Sequence, residues 1–196
     1  MTAGRPPERR VSRQERREQR AAIDDPAVVL EAAARFLEVR SRSVAEVRRR
    51  LTGAGYQPGL VDDAITRLLE LGLLDDEAFA RAWIESRDRA RPRGERAIRQ
   101  ELGLKGVDRT TVDLVLAERR EAVAGAPDES GDVMSADEAA AQRLLARHAR
   151  SLGRVADPRQ RRQRAYALLA RNGFDPDVCR SAAATIEDTE GPPDDD

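Results

Sequence analysis

Side chains that carry chemistry are scarce in these 196 residues: one cysteine, Cys179, and one histidine, His148. A lone cysteine excludes an internal disulfide and a cysteine-rich metal site. No spacing of metal ligands and no glycine-rich phosphate loop occurs. His148 lies beside Leu144, Leu145 and Leu152 on a helical pattern, with no Cys or Ser elbow to serve. It reads as a structural or surface residue rather than a general base. Cys179 falls in a slot filled elsewhere by valine and reads as a small hydrophobe. Catalysis needs convergent titratable groups. The expectation is therefore a chain that is not an enzyme and that needs no metal or cofactor. Long apolar runs are missing, so no transmembrane helix is expected. The N-terminus is charged where a secretory signal would be apolar, so a cytoplasmic location is expected. Aromatic residues make up only 3% of the chain, too few for sequence-specific stacking on single-stranded bases. Alternating β-branched runs are absent as well, so nothing argues for strands.

What is present is charge. Asp, Glu, Lys and Arg make up 36% of the residues, yet the net charge is −1. That balance hides an uneven layout. Residues 1–20 carry seven Arg against three Glu, residues 26–185 are about +3, and residues 187–196 hold six acids and no base. Lys105 is the single lysine beside 34 arginines. For any one of them the plain reading is a solvated arginine from a GC-rich genome. Apolar residues amount to 40%, many of them alanine, which suits thin helix pairs with much surface.

The helical pattern opens at Asp25-Pro26, with Pro at a first helical position. Capping boxes stand at Ser43–Glu46 and Ser135–Glu138. Apolar spacing predicts helices over about 28–39, 44–53, 58–71, 76–89 and 94–104. A further helix is capped by Asp108 or Thr110, one opens at Ser135, and two start at Asp157-Pro158 and Asp175-Pro176. Between Leu71 and Ala80 one helix ends at Gly72 and another starts at Asp75 or Asp76. Trp83, the only tryptophan, follows and is expected to pack two units together. Gly55, Gly106 and Gly173 fall into register: Leu51, Leu102 and Leu169 stand four residues before, and Tyr56, Val107 and Phe174 one after. One three-helix unit is thus used three times. The fold class is all-α, three tandem three-helix repeats forming an elongated curved body with disordered N- and C-terminal tails. The expected organisation is a basic arm over 1–25, repeats over 26–74, 75–123 and 135–186, a linker over 124–134 and an acidic tail over 187–196.

Arginine placement is what remains for function. Arg48, Arg49 and Arg50 lie on the second helix of the first unit. Arg87, Arg89, Arg91, Arg93, Arg96 and Arg99 run through the first loop and second helix of the next. Arg159, Arg161, Arg162 and Arg164 lie on the second helix of the third. In a stack, equivalent elements line one side, and a basic stripe fits nucleic-acid phosphate. The alternative is a solvated face paired with local Glu. The Arg cluster of the N-terminal arm has the same two readings.

These segments resemble the RecX family of bacterial recombination regulators. The resemblance is carried by Ser43 to Leu51 (SVAEVRRRL), Gly72 to Ala80 (GLLDDEAFA), Arg93 to Leu102 (RGERAIRQEL), Leu104 to Val107 (LKGV) and Leu169 to Phe174 (LARNGF). It covers about residues 26–186 and is most specific in the second unit. It implies a protein that binds the RecA recombinase within the groove of its filament on DNA. Such a protein restrains filament growth, ATP hydrolysis and strand exchange. It has no catalytic residues. The implied partners are the RecA filament and, weakly and without sequence preference, single-stranded or duplex DNA. Neither a membrane nor a stable second copy is expected; the chain should act as a monomer. Two rivals stand beside this reading. In one, the second and third helices of each unit form a DNA-binding helix-turn-helix. In the other, the chain is a purely structural helical adaptor.

Overall fold

The computed structural model describes residues 12–123 and 134–187. The expected linker over 124–133 and acidic tail over 188–196 lie outside the described residues, as does the arm before Ser12. Among the described residues there are ten α-helices, a closing 3-10 turn and no strand. The chain divides into two compact units, Met1–Asp76 and Glu77–Asp196.

The first unit holds α1 (Arg13–Ala21), α2 (Pro26–Glu38), α3 (Val44–Ala54) and α4 (Pro58–Glu70). The last three form a bundle around Val29, Ala33, Val47, Leu51, Val61, Ile65 and Leu68, all buried. The starts are local chemistry. Asp25 Oδ1 accepts from the Ala27 N–H at 2.9 Å ahead of Pro26. Ser43 and Glu46 satisfy each other's backbone donors in the expected capping box.

Helix α1 corrects the reading of residues 1–25 as disordered. Composition allows little apolar burial there, and indeed no α1 side chain is buried. Order comes from other sources. Ser12 and Glu15 close a capping box at its start. Gln57 Nε2 donates to the carbonyls of Ala21 and Ile23 at 3.1 and 2.9 Å. Ile23 packs on the bundle core.

The second unit holds α5 (Asp76–Ala90, less its first residue), α6 (Glu95–Lys105), α7 (Arg109–Val123), α8 (Ala136–Gly153), α9 (Pro158–Arg171) and α10 (Pro176–Ala184). It contains two bundles. In the first, Phe79, Ile84, Ile98, Leu102, Val112 and Leu116 are buried. Trp83 sits against this core, its ring 6.0 Å from that of Phe79, and its Nε1 donates to Glu101 at 2.8 Å. The other is built on Leu144, Leu145, Leu169, Phe174 and Cys179. Cys179 is fully buried, and burial pushes its thiol pKa up. Asp108 is the cap of α7, accepting from the Thr110 and Thr111 N–H groups at 2.8 and 3.1 Å.

The three in-register glycines are left-handed turns, with φ of 106°, 83° and 82° at Gly55, Gly106 and Gly173. After each, the next N–H reaches back to the buried leucine: Tyr56 to Leu51 O at 3.3 Å, Val107 to Leu102 O at 3.1 Å, Phe174 to Leu169 O at 3.4 Å. This is the Schellman closure, which explains why the leucine precedes by four and an apolar residue follows by one.

The two bundles of the second unit are joined by polar groups. The Arg119 guanidinium, 7% exposed, donates to Asp88 at 3.0 and 2.9 Å and to Asp137 at 2.7 Å. Burial alone would lower its pKa; the hydrogen bonds to the two carboxylates outweigh that and hold it up. The other oxygen of Asp137 accepts from the Glu95 N–H at 3.0 Å and so caps α6. Gly94 N–H donates to Asn172 O at 3.0 Å, and a Cβ on Gly94 would lie 2.3 Å from Gly173 O. Arg93 closes the contact by donating to Asn172 Oδ1 at 2.9 Å. Replacing Arg119 by alanine leaves two partly desolvated carboxylates without a cation. We expect Arg119→Ala to cost about 3 kcal/mol, with Arg119→Lys costing less because charge remains without the fork. Urea denaturation followed by helical circular dichroism measures this; an unchanged midpoint for the alanine variant would contradict it.

Candidate polyanion-binding surface

The thirteen candidate arginines divide by what each touches. On α3, Arg48 is ion-paired with Asp62 of α4, and the Arg50 guanidinium lies 5.6 Å from the Phe36 ring centre. Arg49 is exposed and also has a partner. In the second unit, Arg87 pairs with Glu101 at 2.6 Å and covers the Trp83 ring at 4.4 Å. Arg93 is held by Asn172 and stands 3.7 Å from Glu101. Arg99 binds Glu95 at 2.8 Å and also pairs with Asp113. Arg161 donates to the Val155 carbonyl at 3.1 Å, and Arg162 is half-buried and partnered. Arg89, Arg91, Arg96, Arg159 and Arg164 are exposed, and their side chains make no ion pair with a described residue.

The reason is the supply of acids. In the first two bundles each second helix faces a third helix bearing Asp62 or Asp113, and arginine neutralises it. In the third, residues 139–174 contain nine arginines and a single acid, Asp157. That acid is engaged at the start of α9, where its Oδ1 accepts from the Arg159 N–H at 2.9 Å. The α8–α9 pair is therefore the most one-signed part of the second unit. It adds arginines absent from the candidate set. Arg150 and Arg154 on α8 and Arg171 on α9 are exposed, with no ion pair to a described residue. Arg147 is engaged by the carbonyls of Arg89 and Ala90 at the end of α5. The signal that could have found them is the run from 139 to 156, which has no acid at all. His148 is exposed on α8. Among the described residues no group of His, Cys, Asp and Glu could hold a metal ion, and no helix is long and apolar enough to cross a membrane.

Models of the first, second and third three-helix domains of RecX match residues 30–68, 75–116 and 136–182. The regulatory protein RecX of Mycobacterium ulcerans (strain Agy99) is 31% identical over 140 residues, covering 71% of this chain and 73% of that one. The chain belongs to the RecX family. A second RecX relative, from Mycobacterium sp. (strain JLS), is 42% identical over 84 residues. That stretch covers 43% of this chain and 46% of the relative, a little under half of its length. The crystal structure of RecX from Lactobacillus salivarius has the same fold, with a TM-score of 0.68 at 18% identity over 84% of this chain and 97% of that one. The family's three domains thus correspond to the three bundles, and the glycine turns lie inside the matched ranges.

The ion-pair network around α6 has consequences for stability. Burial alone would raise the Glu95 carboxyl; hydrogen bonds from Arg120 and Arg99 outweigh it and hold it below the usual range. The Arg99 hydrogen bond does the same for Asp113. Depressed carboxyls contribute stability above their unfolded pKa and lose it as pH falls through the folded one. The urea midpoint should stay flat from about pH 7 to 5 and drop below about pH 4; a midpoint constant down to pH 3 would oppose this. Charge reversal separates the engaged from the exposed arginines. Arg99→Glu sets three carboxylates together and should cost about 1 kcal/mol after solvent screening. Arg96→Glu should leave the same midpoint within error, and equal losses for both would remove the distinction.

Proposed function

We propose that this RecX-family chain is a non-enzymatic regulator of the RecA recombinase. It binds the RecA–DNA filament in the cytoplasm as a monomer and restrains filament growth, ATP hydrolysis and strand exchange. The observation that carries the reading is the match of all three RecX domain models along one chain. The charge distribution supports it. The exposed arginines of α8 and α9 offer a cationic surface to DNA phosphate or to an acidic filament face. Three similar bundles can contact a repeated lattice at several points, so weak contacts add up.

The helix-turn-helix alternative is less well supported by the charge of the third helices. In that motif the start of the second helix of the pair enters the major groove. Here the corresponding helices carry Asp62 and Asp63 on α4, Asp113 on α7 and Asp177 on α10, with Asp108 and Asp175 as caps. Carboxylates at that position repel phosphate and the acceptor edges of bases.

The test is RecA's ATP hydrolysis on single-stranded DNA, titrated with this protein. Inhibition well below one protein per RecA is expected. Reversal of Arg150, Arg159 and Arg164 to glutamate should weaken it by roughly tenfold, with helical circular dichroism unchanged. No inhibition at equimolar ratio, together with tight duplex binding in the same buffer, would favour the helix-turn-helix reading.

A further inference from the structure

A second arginine cluster lies in the first unit, away from every residue considered so far except Arg49 and Arg50. Between α1 and the α3–α4 turn runs an open groove of about 1060 Å³. Six arginines line it: Arg13, Arg16, Arg17 and Arg20 from α1, and Arg49 and Arg50 from α3. Glu18 is the one acid in the lining, and its Oε1 accepts from Gln14 Nε2 at 3.1 Å. The α1 arginines recur at intervals of three, one and three, which places them along one helical face. Arg13 and Arg17 are exposed and have no ion pair with a described residue.

The way α1 is held makes this cluster informative. No α1 side chain is buried, so hydrophobic gain does not explain why it docks. It is held by Gln57, by Arg20 donating to Ala54 O at 3.4 Å, and by Arg20 lying 5.8 Å from the Tyr56 ring centre. Its backbone comes so near the turn that a Cβ on Gly55 would lie 2.7 Å from the Arg17 carbonyl oxygen. Gly55 thus closes the α3 turn and also admits α1. The docking gathers six guanidinium groups against one carboxylate. That arrangement is repulsive on its own and is relieved by a bound polyanion.

We propose that this groove binds the phosphodiester backbone of a single nucleic-acid strand. Guanidinium forks match phosphate oxygens two at a time, which favours phosphate over isolated carboxylates. A groove between neighbouring helices, roughly 8–10 Å between axes, has room for one strand's backbone. Tyr56 and the guanidinium planes at its floor offer stacking to unpaired bases without sequence preference. The inference stands apart from the recombinase reading, because the ligand is the nucleic acid itself.

The experiment uses the full chain, no recombinase, and a fluorescent oligo-dT strand followed by anisotropy across a salt series. Wild type should bind, with log Kd linear in log salt. Arg13→Glu with Arg17→Glu should weaken binding at least tenfold and flatten the salt slope by about 1.4, the value for two phosphate contacts on a single strand. Arg50→Glu, on the opposite wall, should weaken it too, so that melting of α1 cannot account for the loss. Wild-type affinity and slope in both variants would overturn the proposal. So would a duplex of equal length binding as tightly as the single strand. Polyglutamate displacing the oligonucleotide at equal charge concentration would overturn it in favour of an acidic protein segment.

Discussion

Everything in the two units hangs on a left-handed glycine between a second and a third helix. At Gly55, Gly106 and Gly173 the following N–H bonds the carbonyl of a buried leucine, and that bond turns the chain back across its own core. A side chain with a Cβ resists this conformation. The same closure puts Tyr56, Val107 or Phe174 down beside the core. Two of the three turns also receive a neighbour. Arg17 of α1 lies against Gly55, and Ala97 of α6 lies against Gly173. A motif that ends a helix therefore doubles as a flat landing site for another one.

Charge is distributed by the same architecture. In the first two bundles, arginines of the second helix meet acids of the third, and much of the positive charge is consumed in pairs such as Arg48–Asp62 and Arg99–Asp113. The α8–α9 pair lacks those acids, and its arginines remain exposed. A net charge of −1 describes none of these regions. Arg119 is the contrary case. It is the most buried arginine and serves to lock two bundles together through Asp88 and Asp137.

The bundles were legible in the sequence to within a residue or two at most helix ends, because caps, Pro starts and apolar spacing all agreed. Ser43–Glu46 and Ser135–Glu138 are capping boxes as their spacing requires. The N-terminal arm was misread from composition. Ser12–Glu15 is a third capping box, and it starts a helix held by hydrogen bonds where apolar burial is lacking. The candidate arginines were legible as a list of charges but not as a surface. Nothing local separates Arg96, which is exposed, from Arg99, which is engaged three residues later.

The sequence by itself determined the helices, their caps, the three turns and the family. Those features rest on contacts between residues at most about a turn or two apart, or on motifs matched in order along the chain. Only the tertiary structure decided which arginines face solvent, where α1 docks and how the second and third bundles join. Those depend on partners far away in the chain, from 14 residues for Arg48 and Asp62 to 79 for Arg93 and Asn172. A charge can be read from its letter. Its availability depends on what the fold sets beside it, and no local pattern records that.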